Sequence, residues 1–216
     1  MTSQLKKIII ASLSKGAGKT ALAEALLGII RPARWGAAKI TLAEEAQALP
    51  SYLDSHCRKP EFSKRGYVIV PEEGAADHTV TDTRRFVRAG AEPVFWIIAR
   101  PDAVPQAWAD LADRLGESPG VIIESSTLAL HVDADLTLLL IDISVPPVRW
   151  KSTADALIGK ADVIIVRRSD RPTPAENALL IRTARRRARS EMMYVRSVAD
   201  AVRSSLLQDR LSKLLS

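Results

Sequence analysis

Residues 5–27 have the sequence Leu-Lys-Lys-Ile-Ile-Ile-Ala-Ser-Leu-Ser-Lys-Gly-Ala-Gly-Lys-Thr-Ala-Leu-Ala-Glu-Ala-Leu-Leu. The apolar run at residues 8–11 predicts a buried strand, and residues 21–27 predict a helix. Between them lies a short glycine-containing segment that ends in Gly18, Lys19 and Thr20. A strand, a glycine loop and a helix in this order are the structural context of a phosphate-binding loop.

The residue types in this loop explain the expected chemistry. Gly16 and Gly18 lack a Cβ, so the chain can fold back and point several backbone N–H groups at an anion beside the N-terminus of the helix. The Lys19 ammonium is expected to reach the β- and γ-phosphates, and the Thr20 hydroxyl is expected to hold a magnesium ion. The predicted phosphate-binding residues are Lys15, Gly16, Ala17, Gly18, Lys19 and Thr20.

One position departs from the usual pattern, which is Gly-x-x-x-x-Gly-Lys-[Ser/Thr]. Leu13 stands where the first glycine is expected, so only the Gly-Lys-Thr half is intact. The sequence therefore leaves the path of the chain into the loop open, while it retains the half that binds phosphate.

Length and composition predict one globular domain over residues 1–216. The chain has 216 residues, of which 47% are hydrophobic and 26% are charged, which is typical of a soluble α/β protein. No apolar run is long enough for a signal peptide or a membrane span, so a cytoplasmic location is expected. The single cysteine, Cys57, cannot form an internal disulfide, and the three histidines are scattered along the chain.

The net charge of +6 raises the question of a nucleic-acid partner. Much of the excess comes from five arginines in one segment, four of which are spaced to share a helix face, namely Arg182, Arg185, Arg186 and Arg189. A solvated helix face is one interpretation, and an anionic partner is the other. Because few aromatic residues are available for stacking, nucleic acid is not expected. The arginines are Arg182, Arg185, Arg186, Arg187 and Arg189.

Apolar strand-like runs alternate with helical patterns along the rest of the chain. This alternation predicts a mostly parallel sheet with helices on both faces, that is, a three-layer α/β/α sandwich of the P-loop NTPase type. Residues 43–78 are less regular and are predicted to form an excursion from the sheet, and residues 197–215 are predicted to form a C-terminal helix.

Three acidic residues follow predicted strands and are candidates for the remaining functions of a nucleotide site. Glu124 and Asp142 each end a strand, and either could organise magnesium. The order of strands in P-loop GTPases favours Glu124. Asp170 follows the next strand, where an aspartate recognises guanine in those proteins, and it favours GTP over ATP. Each of the three could instead cap a turn.

With these motifs in place, the chain resembles the accessory proteins of molybdopterin-guanine dinucleotide synthesis, the MobB family. The resemblance rests on the glycine loop, on a strand that ends in Lys39, Ile40 and Thr41, and on residues 81–91, Thr-Asp-Thr-Arg-Arg-Phe-Val-Arg-Ala-Gly-Ala. The chain departs from that family at three places: Val80-Thr81 replace Gly-Lys, Ser125 replaces Gly, and Arg167-Arg168 replace Asn-Lys.

The resemblance implies GTP and Mg²⁺ as ligands, slow hydrolysis, a homodimer and service to an enzyme of molybdenum-cofactor synthesis. Lys19, Glu124 and Asp82 are the expected catalytic residues, with Asp82 near the γ-phosphate, and Thr20, Glu124 and Asp142 are the candidate metal ligands. Two alternatives stay open. One is a small-molecule kinase or ATP-dependent ligase whose acceptor is held by Arg84, Arg85 and Arg88, and the other is a non-enzymatic scaffold that nucleotide switches.

Overall fold

The computed structural model describes residues 5–49, 58–72, 81–168 and 191–216. Its strands are numbered in chain order. They are β1 (Lys6–Ser12), β2 (Gly36–Leu42), β3 (Tyr67–Pro71), β4 (Val94–Ala99), β5 (Gly120–Glu124), β6 (Leu136–Asp142), β7 (Val163–Arg167) and β8 (Glu191–Val195).

These eight strands form one sheet in the order β3-β4-β2-β5-β1-β6-β7-β8. All neighbours pair in parallel except β3, which runs antiparallel to β4 at one edge. Strand β1 is therefore central, with β5 on one side and β6 on the other. The carboxyl ends of parallel strands lie at the same edge of a sheet, so the loops after β1, β2, β5 and β6 are brought together.

Helices cover both faces of the sheet. They are α1 (Lys19–Ile30), α2 (Arg58–Arg65), α3 (Asp82–Arg88), α4 (Val104–Arg114), α5 (Leu128–His131), α6 (Ala154–Lys160), α7 (Val198–Arg203) and α8 (Ser205–Leu215). Alternate residues of β1 point to opposite faces. Ile9 packs in a core with α4, α5 and α6, whereas Ile8 and Ile10 pack in a second core with α1, α3, α7 and α8. The predicted three-layer α/β/α sandwich is confirmed.

As predicted, Glu124 and Asp142 each end a strand, β5 and β6, and both strands are buried along their whole length. The prediction that residues 43–78 leave the sheet is wrong for Tyr67–Pro71, because this run extends the sheet as the antiparallel edge strand β3. The edge strand β8 was not predicted. The C-terminal segment forms two helices instead of one, because Ser204 adopts an extended conformation between α7 and α8.

Among the helices of the described residues, none combines the length and the apolar character that crossing a membrane would require.

Candidate functional site

The glycine loop, which comprises residues 13–18, connects β1 to the N-terminus of α1. Gly16 and Gly18 have φ angles of 72° and 101°, a left-handed conformation that residues with a Cβ rarely adopt. Gly18 immediately precedes Lys19, the first residue of α1. The first N–H groups of a helix have no partner inside the helix. The loop therefore brings unpaired donors and the positive end of the α1 dipole to one place.

Leu13 anchors the entry to the loop. Its side chain is fully buried, its N–H donates to Leu140 O at 3.2 Å, and its carbonyl accepts a hydrogen bond from Lys151 N at 2.8 Å. The open question about the path of the chain at this non-glycine position is thus answered. Leu13 is part of the core, and the first left-handed residue of the loop is Gly16.

Ser14 provides an unsatisfied polar atom inside the loop. Its side chain is 4% exposed, and its Oγ finds no hydrogen-bond partner in the described part of the chain. Buried hydroxyl groups are normally hydrogen-bonded, and an exception needs an explanation. This oxygen is enclosed by the surrounding protein, so it is not accessible to a ligand in the conformation seen here.

Glu124, at the end of β5, connects the glycine loop to the neighbouring strands. Its carboxylate is 5% exposed and accepts a 2.7 Å hydrogen bond from Thr20 Oγ1. Lys19 Nζ lies 3.5 Å from Glu124 Oε1, and Lys39 Nζ lies 3.7 Å from the same oxygen. One buried carboxylate thus contacts two lysines, whose combined charge it can only partly offset, and accepts a hydrogen bond from the hydroxyl that the motif assigns to magnesium.

Lys39 also joins Asp82 to the site. It lies on β2, and its ammonium forms an ion pair with the carboxylate of Asp82, the first residue of α3. Because Lys39 contacts Glu124 as well, it lies between the two carboxylates. The Lys39 ammonium therefore links Asp82 to Glu124, the carboxylate beside the glycine loop.

Lys151 is a further cation at the site and precedes α6. Its Nζ donates a 2.6 Å hydrogen bond to Ser126 Oγ. Burial lowers its pKa to about 8; the positive charge of Lys19 lowers it too, Glu124 opposes the shift, and Lys15 reinforces it. Burial is thus the main cause of the lowered pKa, and the positive charges of Lys19 and Lys15 show that these lysines lie close enough to act on Lys151.

These groups border one open cavity of about 660 Å³, the lysine cavity. Four lysines contribute to its wall, together with one carboxylate, that of Glu124, among the described residues that line it. Hydroxyl groups from β2, from the segment after β5 and from the segment before α6 cover another part of the wall. The lysines are Lys15, Lys19, Lys39 and Lys151, and the hydroxyl residues are Thr41, Ser125, Ser126, Thr127, Ser152 and Thr153.

Asp142 has different partners. It ends β6, on the other side of β1, where its carboxylate pairs with the Arg167 guanidinium and accepts hydrogen bonds from Ser144 N at 3.0 Å and Ser144 Oγ at 2.7 Å. Burial raises the pKa of Asp142, but the hydrogen bonds from Ser144 and Arg167 outweigh it and lower the pKa overall. Its predicted role as a metal ligand stays a prediction.

The structure brings together most of the residues that the sequence singled out. Lys15, Lys19 and Glu124 line the lysine cavity, with Thr20 bonded to Glu124. Asp170 and the arginines of residues 182–189 lie outside the described residues. Of the arginines considered as anion-binding groups, Arg84 bonds to Glu72 and Arg85 to Glu24, so both guanidiniums have carboxylate partners.

The sequence did not single out Lys39 or Lys151 as site residues. Lys39 did carry a signal, since it is a cation in an otherwise apolar strand, near the end that faces the glycine loop. Lys151 carried no such signal, because it lies in a loop after Trp150. It is close to the glycine loop only because β6, the strand before it in the chain, pairs with β1 in the sheet.

A metal held by protein ligands alone finds no support in the described ranges. They contain no group of three or more histidine, cysteine, aspartate or glutamate side chains that could hold an ion. Magnesium, however, usually keeps several waters and takes one or two protein ligands together with substrate phosphates. Thr20 and Glu124 fit that pattern, because their side-chain oxygens are 2.7 Å apart beside the glycine loop.

Comparison with models of known protein families gives no match, and comparison with curated proteins gives none. The resemblance to the MobB family therefore rests on the sequence motifs, and membership of that family stays a prediction.

Proposed function

We propose that this protein binds a nucleoside triphosphate together with Mg²⁺ at the glycine loop. The observation that carries the proposal is the convergence of Lys15, Lys19, Lys39 and Lys151 on one cavity beside the N-terminus of α1. Glu124 and Asp82 offset part of this positive charge, and a polyanion would offset the rest.

The roles of the loop residues follow from their positions. The backbone of Gly16, Ala17 and Gly18 supplies N–H donors, and Lys19 neutralises the β- and γ-phosphates. Lys15 is exposed at the rim, where it can approach the phosphates from the solvent side.

In this proposal magnesium replaces the lysines as the partner of Glu124. Thr20 Oγ1 binds the ion directly, and Glu124 binds it directly or through water. Lys19 and Lys39 then turn from the carboxylate towards the phosphates. Glu124 is preferred over Asp142 as the metal-organising acid because Glu124 contacts Thr20, whereas Asp142 is held by Arg167 and Ser144.

Hydrolysis is proposed to be slow. Phosphoryl transfer needs positioning and charge stabilisation, which the lysines supply, but rapid hydrolysis also needs a group that orients water. Glu124 and Asp82 are the nearby carboxylates. In this proposal Glu124 is engaged with magnesium, and Asp82 forms an ion pair with Lys39. GTP is proposed over ATP because of Asp170, and this preference rests on the sequence motif alone.

A MobB-like role in molybdenum-cofactor synthesis, a homodimeric state and a cytoplasmic location are proposed on the sequence resemblance. A nucleotide-switched scaffold has no supporting observation of its own in the described residues.

Calorimetric titration with non-hydrolysable GTP and ATP analogues, with and without Mg²⁺, tests the proposal. We expect a single site, tighter binding with Mg²⁺, and a loss of affinity of about 100-fold or more in Lys19→Ala, since a charge-assisted contact to phosphate is removed. Lys64→Ala, at an exposed position on α2, is the matched control and should bind like the wild type. Absence of binding, or binding that Lys19→Ala leaves unchanged, would overturn the proposal.

A further inference from the structure

A second cavity lies at the opposite edge of the sheet from the glycine loop. This arginine cavity has a volume of about 690 Å³ and is bordered by Arg31 and Arg34, which follow α1, by the end of β3 and by the residues around the start of β4. The glycine loop lies at the N-terminus of α1, whereas the arginine cavity lies at its C-terminus. Helix α1 has 12 residues, and a helix rises by about 1.5 Å per residue, so the two ends are roughly 18 Å apart. No described residue borders both cavities.

Arg31 contributes a positioned guanidinium to the arginine cavity. Its side chain crosses Gly90 so closely that a Cβ added at Gly90 would lie 2.7 Å from Arg31 Cγ and 2.8 Å from Arg31 Nε. The backbone between α3 and β4 thus supports the stem of the arginine. Within the described part of the chain, the Arg31 side chain is exposed and has no ion pair or side-chain hydrogen bond. Its five N–H donors are therefore available to an anion.

Arg34 lies on the same turn and has an unusual backbone conformation. Its φ angle is 51°, and it is the single described residue other than glycine with a positive φ. This conformation is unfavourable for a residue with a Cβ, and such residues concentrate at binding sites. Arg34 pairs with Glu92 at 3.3 Å, but the two side chains are 80% and 76% exposed. An ion pair so exposed is weak, so an anionic ligand can compete for Arg34.

The rest of the wall offers little competing charge. The carboxylate of Glu72 borders the cavity, but it already accepts hydrogen bonds from Thr83 Oγ1 at 2.5 Å and from Arg84 Nε at 3.1 Å. The described residues that border the cavity include no hydroxyl, imidazole or thiol group, so the cavity is suited to binding a ligand rather than to transforming it. Most of the remaining wall is apolar, with Pro71, Val87, Ala91, Pro93 and Val94.

We propose that the arginine cavity binds a small organic anion that carries an apolar body. Its carboxylate or phosphate group binds between Arg31 and Arg34, because planar guanidinium groups match the geometry of both anions. Its apolar body packs on Val87 and Pro93. The volume of the cavity is within the range of small-molecule sites. This inference does not depend on the proposed nucleotide function, since it uses other residues at the other edge of the sheet.

Ligand-observed NMR on the full chain tests the site with four defined probes, namely naphthylacetate, naphthyl phosphate, the neutral naphthylacetamide and acetate. We expect at least one naphthyl anion to bind with a Kd of about 1 mM or lower. Naphthylacetamide should bind about tenfold more weakly because it lacks the charge. Acetate should also bind about tenfold more weakly because it lacks the apolar body. The two naphthyl anions distinguish a carboxylate ligand from a phosphate ligand.

A matched pair of variants locates the bound anion. Arg31→Gln removes one positive charge from the arginine cavity, and we expect anion affinity to fall about tenfold. Lys19→Ala removes one positive charge from the lysine cavity and should bind the anion within about twofold of the wild-type level. Arg31→Gln should in turn bind the nucleotide analogue like the wild type, since roughly 18 Å separates it from the glycine loop.

Arg34→Gly provides a second variant that should fold well. Glycine adopts a positive φ without strain, so its Tm should be close to that of the wild type. Anion affinity should nevertheless fall about fivefold or more, because the variant loses one guanidinium and leaves the carboxylate of Glu92 without its partner.

The outcomes separate this inference from the proposed function. Failure of both naphthyl anions to bind would overturn it, as would equal binding of naphthylacetate and naphthylacetamide. Anion binding that Arg31→Gln and Arg34→Gly leave unchanged, or that Lys19→Ala weakens as much as Arg31→Gln does, would also overturn it. If the wild type binds a naphthyl anion through Arg31 but binds no nucleotide analogue, the proposed function fails and the anion site stands.

Discussion

Lys151 Nζ donates a hydrogen bond to Ser126 Oγ at 2.6 Å, and Ser126 in turn bonds to the N–H and the carbonyl of Ser12, at 3.0 and 3.1 Å. Ser12 is the last residue of β1, directly before the glycine loop. A lysine that follows β6 in the chain is therefore connected through one hydroxyl group to the strand that positions the loop. This geometry makes Lys151 the most informative residue for testing the site.

Lys151→Met should make the free protein more stable at pH 7 and weaken nucleotide binding. Burial and Lys19 lower the pKa of Lys151 from 10.5 to about 8. A shift of this size corresponds to roughly 3 kcal/mol against the charged form in the folded state. Allowing for the lost hydrogen bond to Ser126, we expect a gain of about 1–2 kcal/mol in the free energy of unfolding. Denaturant unfolding measures it.

The size of the stabilisation by Lys151→Met depends on pH. Between pH 8 and 10.5 the unfolded chain binds a proton at Lys151 that the folded protein does not, so wild-type stability at this residue rises with pH. The advantage of Lys151→Met should therefore shrink as the pH is raised from about 8 towards about 10. A gain that does not change over this range would contradict the assignment of the effect to the charge of Lys151.

Nucleotide binding should be coupled to proton uptake near pH 8. The groups that act on Lys151 in the free protein are Lys19, Lys15 and Glu124, and phosphates added among them favour its charged form. We expect uptake of about half a proton per nucleotide at pH 8 and affinity that falls as the pH rises above 8. Calorimetry in two buffers of different ionisation enthalpy measures the uptake, which should be absent in Lys151→Met.

Glu124→Gln should remove most of the effect of Mg²⁺ on nucleotide binding. The amide retains the shape of the side chain and an acceptor for Thr20, but it binds magnesium poorly and no longer neutralises Lys19 and Lys39. We expect the Mg²⁺-dependent gain in affinity to fall at least tenfold, whereas Mg²⁺-free binding is kept or improved. Titration of the variant with and without Mg²⁺ measures both quantities.

Asp142→Asn is the control for this experiment. It also removes one buried carboxylate at a strand end, but that carboxylate is held by Arg167 and Ser144. Its Mg²⁺ dependence should match the wild type. If Asp142→Asn loses the dependence and Glu124→Gln retains it, Asp142 and not Glu124 organises the metal.

The glycines of the α1 region allow a paired test of backbone strain. Gly18 has a φ of 101°, and Gly18→Ala should cost about 1–2 kcal/mol of stability and weaken nucleotide binding at least tenfold. Gly28 lies inside α1 and has nothing within 4 Å of an added Cβ. Gly28→Ala should stabilise the protein by roughly 0.5–1 kcal/mol and leave binding unchanged. Thermal unfolding and titration of both variants measure the contrast.

The layered fold could be predicted because its central strands are apolar throughout. In β5 and β6 every residue is buried, so hydrophobic runs and strand boundaries coincide. At the sheet edges this relationship breaks down. Strand β8 alternates between exposed and buried residues and includes an exposed glutamate and tyrosine. Strand β3 is short and antiparallel, and nothing in its local sequence shows that it pairs with β4.

The candidate site was predictable where its residues are contiguous in the chain. Lys19 and Thr20 belong to a motif whose spacing carries the chemistry. Lys39 and Lys151 do not belong to the phosphate-loop motif. They border the same cavity because β2 and β6, which position them, lie on either side of the β5-β1 pair. Long-range arrangement of this kind depends on strand order, which local pattern does not encode.

The burial of Leu13 has a consequence for the thermodynamics of ligand binding. Leu13 stands in place of the usual glycine, and its burial and its backbone hydrogen bonds to Leu140 and Lys151 fix the entry to the loop in the folded protein. The conformational entropy of this residue is then lost when the protein folds and not when a ligand arrives. Under the proposed function, the entry to the loop would therefore be formed before an anion binds, and its shape would depend on the core rather than on the ligand.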